Sequence, residues 1–378
     1  MRIAQVANFV APHSGGIRTV LNQLAQGYHR HGHEVVQVVP GAVRATESTQ
    51  WGRREVLTGW PAPGTGYRVL LPGPVRRALA GVAADRIEVH DRLTLRRLGR
   101  WAADRDVPAV VVSHERLDRL AGQWLPGPVR RSRPVGALID RSNAALAAGF
   151  DAVVCTTDWA AAEFARLPGV DVRVVPLGVD TVRFTPERAD PARRPAGGAP
   201  LLIMASRLSR EKRPDLALRT LAALVDRGVP AQLVVAGDGP QRDGLQTWAT
   251  DRDLPVRFLG HLPQDELASW LATADVALAP GPVETFCLSA VEALACGTPV
   301  VGNAASAVST VLGPAGAVAD GRADAFADAV QLLLSRPEPP RRAAARAQAD
   351  LFGWAATTRA MLQVHRAPVR DPHPVGPR

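Results

Sequence analysis

Two glutamates, Glu284 and Glu292, enclose seven residues within the stretch 280–302 of a 378-residue chain. Around Glu292 the apolar residues Leu288, Ala290, Val291, Ala293, Leu294, Ala295 and Cys296 read as a helix that stops at Gly297. A carboxylate in such company is costly unless a donor meets it. Glu284 precedes the helix, in the loop after the apolar strand 276–279. The amides around Phe286, Cys287 and Leu288, with Ser289 in the same turn, would open the helix, and a helix N-terminus favours an anion. A carboxylate accepts two hydrogen bonds from a sugar diol. The spacing thus offers an anion cradle with a carboxylate on each side. That arrangement suits a phosphate with a sugar at each end, which describes a nucleotide sugar.

A second loop carries the matching cations. Arg207 and Lys212 follow the apolar run Leu201–Ala205, placed to converge on a pyrophosphate from the loop and the first turn of the next helix. Lys212 is the only lysine; the other 44 basic residues are arginine. A compact ammonium and a planar guanidinium are not interchangeable at a phosphate. The plainer alternative is a pair of surface charges.

The elements that must position these groups alternate regularly in the second half. Apolar runs at 201–205, 233–236, 256–259, 276–279 and 300–301 are separated by segments of helix length, which predicts a parallel, doubly wound sheet. Ligands bind such sheets at the carboxyl ends of the strands. Gly237, Asp238, Gly239 and Pro240 stand at one such end, and Gly260, His261, Leu262 and Pro263 at another.

The first half is a less regular α/β pattern. Ile3–Ala7 reads as a strand, followed by Gly15 and Gly16, then a helix from Ile17, then a strand over 32–39. Strands are also expected at 109–113, 151–157 and 172–176, with His114 at the end of the first of these and Asp158 capping a helix that runs through Leu167. Residues 41–75 match no pattern. Arg92, Arg96 and Arg100 recur at helical spacing, which fits a solvated amphipathic helix or a membrane-contact face. The Pro-, Gly- and Arg-rich stretch 185–200 reads as a linker. The expected domains are 1–185 and 186–350, then a helix over 351–366 and a proline-rich, disordered tail over 367–378.

Composition narrows the function. The net charge of +9 admits nucleic acid, membrane surfaces or acidic substrates. Two tyrosines and eight phenylalanines form no stacking platform at a recognisable spacing, which argues against nucleic acid. Cys155, Cys287 and Cys296 form no CxxC and read as free thiols of a reducing compartment. No apolar run approaches the ~20 residues of a membrane span, so a cytoplasmic protein is expected, with peripheral attachment at the inner face of the membrane as an option.

Taken together and in this order, Glu284-x7-Glu292, Arg207-x4-Lys212 and Gly237-Asp238-Gly239-Pro240 resemble the retaining family-4 (group 1) glycosyltransferases of the GT-B fold. The resemblance implies an α/β protein with two Rossmann-like, doubly wound parallel-sheet domains facing across a cleft. It implies transfer of a hexosyl group from a nucleoside-diphosphate sugar, GDP-mannose or a UDP-sugar, to a hydroxyl acceptor. Glu292 would hold the ribose and Glu284 the transferred sugar. Arg207 and Lys212 would take the diphosphate with no metal and no cofactor. His114 would lie near the sugar, Gly15 and Gly16 near the donor phosphates or the acceptor, and the backbone at His261 and Leu262 near the base. The departing phosphate would take the acceptor proton. Cys287 stands where the family commonly has glycine, and Gly281 where it commonly has serine. Two other readings stay open at this point. One is a sugar-nucleotide epimerase or hydrolase using His114 and Glu115; the other is a non-catalytic membrane- or polyanion-binding protein. The arginines 76, 77, 92, 96 and 100 motivate a lipid-linked acceptor or a phospholipid head group, against arginine enrichment on an ordinary helix.

Overall fold

The computed structural model describes residues 1–10, 16–62, 66–124 and 133–367. Gly15 and the tail beyond residue 367 lie outside the described residues. The chain divides into two units, one made of Met1–Pro176 with Trp354–Arg378 and the other of Leu177–Gly353.

The first unit holds strands β1 (Arg2–Val6), β2 (Glu34–Gly41), β3 (Ala45–Thr49), β4 (Gly52–Thr58), β5 (Trp60–Ala62), β6 (Tyr67–Val69), β7 (Arg86–Val89), β8 (Ala109–Ser113), β9 (Ala152–Cys155) and β10 (Val172–Val174). Eight of them form one sheet in the order β10-β9-β8-β7-β1-β2-β4-β3. Every pairing is parallel except that of the edge strand β3 with β4. The central strands are buried on both faces, as the unbroken run Ala109–Ser113 illustrates. Residues 41–75, illegible as a pattern, contain the hairpin β3–β4 and the two-stranded ribbon β5–β6. The strand β3 alternates nothing because it lies exposed at the sheet edge, carrying the charge and hydroxyls of Thr46, Glu47 and Ser48.

Two local expectations are corrected here. Thr157, not Asp158, caps the helix: its hydroxyl accepts from the Ala160 amide at 3.2 Å, and the helix is only Asp158–Ala161, with looser turns carrying the chain on to Leu167. Arg92 does not share a surface face with Arg96 and Arg100. Asp91 accepts from the Leu93 and Thr94 amides at 2.7 and 3.0 Å, which bends the chain into a turn, and the helix starts only at Leu98. Arg92 points into the unit instead, fully buried. It meets Glu163 at 2.6 Å, Ser113 Oγ at 3.0 Å, the Glu115 carbonyl at 2.8 Å and the Asn143 amide oxygen. Glu163 accepts in turn from the Leu117 and Asp118 amides at 2.7 and 3.2 Å. One buried ion pair thereby fixes the loop that follows β8.

The second unit holds β11 (Leu201–Ala205), β12 (Gln232–Ala236), β13 (Val256–Gly260), β14 (Val276–Ala279), β15 (Val300–Asn303) and β16 (Ala317–Ala319). They form one parallel sheet in the order β13-β12-β11-β14-β15-β16. Read in sequence order this is 3-2-1-4-5-6, the arrangement of a dinucleotide-binding Rossmann sheet. The last strand was not foreseen because three partly exposed residues at a sheet edge carry no pattern.

The stretch 185–200 is not a free linker. It forms three short 3-10 turns anchored in the second unit by the Asp190 amide on Thr273 Oγ1 at 2.9 Å and by Arg194 on Asp275 at 3.2 Å. The division accordingly falls at Pro176/Leu177 rather than at 185/186. The C-terminal helix is Trp354–Arg366 and belongs to the first unit.

Removing Arg92 would strand a buried Glu163 carboxylate. Arg92→Gln is expected to destabilise the protein by about 3–5 kcal/mol, the cost of orphaning one partner of a buried ion pair. The denaturant midpoint measures it, and a midpoint unchanged from wild type would contradict the buried placement.

Candidate active site

The carboxyl edge of the second sheet gathers four loops. The first leaves β11. The backbone turns at Ser206–Ser209, enters a 3-10 turn over Arg210–Lys212, and reaches the helix Pro214–Asp226 through Arg213 in the left-handed conformation. Lys212 therefore lies before the helix rather than in its first turn. Arg207 is tied to Glu211, which also accepts from Ser209 Oγ at 2.6 Å. Burial pushes the Glu211 carboxyl up, but these donors hold it below its ordinary value.

The second loop leaves β12. Gly237 has φ of +143°, and a Cβ there would lie 1.9 Å from the Ser206 carbonyl oxygen. The glycine therefore admits the neighbouring loop, which is bound by the Leu208 amide on the Asp238 carbonyl at 2.9 Å. The Asp238 carboxylate is engaged locally, accepting from the Gly239 amide at 2.7 Å and from Arg242 at 2.9 Å. The third loop leaves β13 with His261 exposed and Leu262 half-buried.

The fourth loop leaves β14 and carries the glutamates. Lys212 Nζ donates to Glu284 Oε1 at 2.7 Å, so two residues assigned to different parts of one ligand touch each other. Burial pulls the Lys212 ammonium down, but Glu284, with Glu211, holds it above its ordinary value. Gly281 makes room for this contact: a Cβ there would sit 3.1 Å from Glu284 Oε1 and 3.3 Å from the Glu211 carbonyl. The serine common in related chains would press on the Glu284 carboxylate.

The helix Leu288–Ala295 begins at Cys287, whose φ and ψ are 70° and 76°. A side chain in this left-handed region costs about 1–2 kcal/mol, and glycine avoids it. The common glycine thus answers a backbone requirement, and this chain bears the strain with a cysteine. Burial pushes the Cys287 thiol up to about 12, so it stays protonated. Its Sγ lies 3.6 Å from Ser289 Oγ. Phe286 is buried edge-on against Phe352, ring centroids 5.5 Å apart, so it can offer a ligand only backbone.

Glu292 is different in kind. It is half-buried, and no donor among the described residues reaches it. Burial alone pushes its carboxyl up to about 7. A carboxylate placed so is an acceptor in search of donors, and two hydroxyls of a ligand would supply them.

The remaining candidates lie in the first unit. Gly16 is exposed at the start of the helix Gly16–Arg30. His114 is half-buried at the end of β8, with Nε2 2.9 Å from His90 Nδ1.

Some residues of this region escaped the sequence reading. Glu211 orders Arg207, and its four-residue spacing from that arginine was the available signal. Asn303 donates to the Pro280 carbonyl at 2.9 Å, and the Ala307 amide donates to the Glu284 carbonyl at 2.9 Å. Together they hold the glutamate loop from β15. A lone asparagine ending an apolar strand was the only trace of this.

Comparison with known proteins places this geometry. Residues 187–350 match the family described as glycosyl transferases group 1, and residues 15–179 match the glycosyl transferase 4-like domain. The chain is 46% identical over 369 residues to a GDP-mannose-dependent alpha-(1-6)-phosphatidylinositol dimannoside mannosyltransferase of Mycobacterium tuberculosis, covering 96% of this chain and 95% of that protein. It is 33% identical to a D-inositol 3-phosphate glycosyltransferase of Xylanimonas cellulosilytica, covering 93% and 91%. In fold it is similar to the sucrose-phosphate synthase of Thermosynechococcus elongatus, with a TM-score of 0.80 at 21% identity over 97% of this chain and 98% of that one. It is similar also to Anabaena HepE in complex with UDP-glucose, with a TM-score of 0.73 at 18% identity over 96% and 99%.

The Glu292 environment sets a pH dependence. Hydroxyls bind the ionised carboxylate, so ligand binding competes with a proton that leaves near pH 7. Affinity for a nucleoside diphosphate should be flat above about pH 8 and fall by up to about tenfold per unit as pH drops below about 7. Glu292→Gln should bind more weakly and lose that dependence. Calorimetry across the range checks it; a flat wild-type profile would refute the assignment.

Proposed function

We propose a donor and an acceptor class from one premise: the chain belongs to the glycosyl transferases group 1 family. It is a glycosyltransferase with two Rossmann-like domains, moving a sugar from a nucleotide-sugar donor to an acceptor. That membership sets aside the epimerase and the non-catalytic readings.

The donor we infer is GDP-mannose. The observation that carries this is the 46% identity, along 96% of the chain, to an enzyme that depends on GDP-mannose. In this reading the donor diphosphate competes with Glu284 for Lys212. Phosphate oxygens take the ammonium, and the freed Glu284 accepts from hydroxyls of the transferred mannose. Arg207 and the amides that open the helix Leu288–Ala295 add positive potential where charge develops on the departing diphosphate. Glu292 receives the ribose diol. The resemblance to the retaining family-4 enzymes implies retention, and since no side chain here is cast as a nucleophile, transfer in this reading proceeds on one face and the leaving phosphate takes the acceptor proton. Cationic side chains do the work of a metal, so activity should persist in EDTA. With GDP-mannose and UDP-glucose offered side by side, turnover should favour the former. Lys212→Ala should lower kcat by a factor on the order of 10². Preference for UDP-glucose would overturn the donor, and loss of activity in EDTA restored by magnesium would overturn the metal-free mechanism.

For the acceptor we infer a glycan carried on an anionic phospholipid, reached by peripheral attachment. No helix among the described residues is long and apolar enough to cross a membrane. Arg76, Arg96, Arg97 and Arg100 line a cavity of about 310 Å³ in the first unit, with Trp101 and Asp104. None of the four pairs with a carboxylate among the described residues, although Arg96 bonds Ser142 Oγ at 3.4 Å. Arg92, buried elsewhere, takes no part. Anionic surfaces attract such residues by about 1 kcal/mol each. The protein should co-sediment with phosphatidylinositol-containing vesicles at low salt and release as the Debye length falls below about 10 Å. Replacing the four arginines with glutamine should abolish binding. A wild type that stays in the supernatant would favour a soluble acceptor.

A further inference from the structure

The helices Pro72–Ala80, Leu98–Ala103 and Arg133–Ala147 cover one face of the first sheet, and Val75, Leu79, Leu98, Ala102, Leu146 and Ala147 on their inner sides join one apolar core. Their outer sides leave the cavity of about 310 Å³ that Arg76, Arg96, Arg97 and Arg100 line. Arg100 stands beside Gly149: a Cβ on that glycine would lie 3.5 Å from the Arg100 Cγ. Gly149 leads the chain into β9 from its amino end. The cavity therefore lies toward the amino ends of the strands, whereas His114 follows the carboxyl end of β8.

The lining is charged without being neutralised. Elsewhere exposed arginines find carboxylates, as Arg166 finds Asp140 and Arg227 finds Asp328, each at 2.7 Å. Arg76, Arg96, Arg97 and Arg100 find none among the described residues, although Asp104 lines the same cavity. Arg97 and Arg100 are exposed, and Arg76 and Arg96 are half-buried. Four cations against one carboxylate repel one another and hold a positive potential that favours an anion.

Arg76 adds an independent sign. Its Nε is buried and has no acceptor among the described residues. A buried donor left unmet forfeits the hydrogen bonds that water gave it. A guanidinium offers Nε and a terminal nitrogen as a parallel pair of donors, the fork that fits two oxygens of one phosphate. The unmet Nε is half of such a fork. A phosphomonoester carries about −1.5 to −2 charges near neutral pH, which answers the excess of arginine over Asp104 more fully than a singly charged phosphodiester does. The Asp104 carboxylate accepts hydrogen bonds, so it fits a ligand that brings hydroxyls as well as phosphate.

We propose that this cavity is a binding site for the phosphomonoester of a polyol, with the phosphate held by Arg76, Arg96, Arg97 and Arg100 and a hydroxyl by Asp104. The polyol phosphate is the head group of a lipid or a soluble sugar phosphate; both present the same oxygens. The site shares its arginines with the membrane attachment proposed above but does not rest on it. Attachment by diffuse charge needs only the number of cations, whereas a site needs the fork of Arg76.

Calorimetry on the full chain, with GDP present to fill the donor site, measures binding of inositol monophosphate. Binding should need the phosphate, with inositol alone giving no heat. Arg76→Lys keeps the charge and loses the fork, and should weaken binding ~10-fold or more. Arg100→Gln, at an exposed position, should do the same and serves if the Arg76 variant does not fold. No binding by the wild type, or unchanged affinity in the folded variant, would overturn the site. Vesicles matched in surface charge identify the source. A lipid source predicts ~10-fold tighter binding to vesicles carrying phosphatidylinositol phosphate than to phosphatidylglycerol vesicles, and loss of that preference in Arg76→Lys; a preference that survives the substitution would also overturn the site. A soluble source predicts no preference, with inositol monophosphate still bound. A wild type that co-sediments with anionic vesicles yet binds no inositol monophosphate keeps the attachment and loses the site.

Discussion

A parallel strand cannot return by a hairpin, so in the all-parallel sheet of the second unit successive strands are joined by crossovers, and all their carboxyl ends emerge on one edge. That constraint assembles the site in the second unit. Arg207, Lys212, Gly237, Glu284 and Glu292 are scattered over 86 positions of the chain, yet they follow three strands, β11, β12 and β14, to the same edge. The strands can be almost wholly apolar because the chemistry is exported to their ends. The loops must then be held without regular structure. Backbone bonds such as Leu208 to Asp238, and side-chain anchors such as Asn303 to Pro280, do that work.

The electrostatics of the edge are divided between satisfied and unsatisfied groups. Lys212 and Glu284 neutralise each other, so neither is an uncompensated charge in a partly buried setting, and each still has a polar group to offer a ligand. Glu292 has no such relief, and its raised carboxyl shows what that costs in ionisation. Cys287 adds a backbone cost beside them. Strain and unmet charge collect at the carboxyl ends of the strands, while the core around them is conventionally packed.

How far the chain was legible follows from the range of the interactions. The site loops of the second unit could be read because strand, turn residue and helix start are local signals, and because the constraint of the parallel sheet does the rest. The role of Gly281 could not be read, since it depends on a carboxylate whose position is set by Lys212. Arg92 was misplaced for the same reason. Helical spacing is a property of the chain, whereas the burial of Arg92 is decided by Glu163, 71 residues away. Glu88 announces itself only as a charge inside an apolar strand. Its four donors come from positions 5, 28, 90 and 365, and no window of sequence holds them together. The edge strands β3 and β16 were missed because exposure removes the apolar pattern that reveals a strand.

The placement of the helix Trp354–Arg366 in the first unit has a consequence for biosynthesis. Chains fold domain by domain as they leave the ribosome. Here all of Leu177–Gly353 is made between the two parts of the first unit, so the second unit can complete itself while the first still lacks its last helix. Through that interval Glu88 has one donor fewer, and the groove that will receive His365 and the neighbouring apolar side chains Met361 and Leu362 is open to water. The nascent first unit is therefore the part of the chain with exposed apolar surface for longest during translation, and the part a chaperone would find.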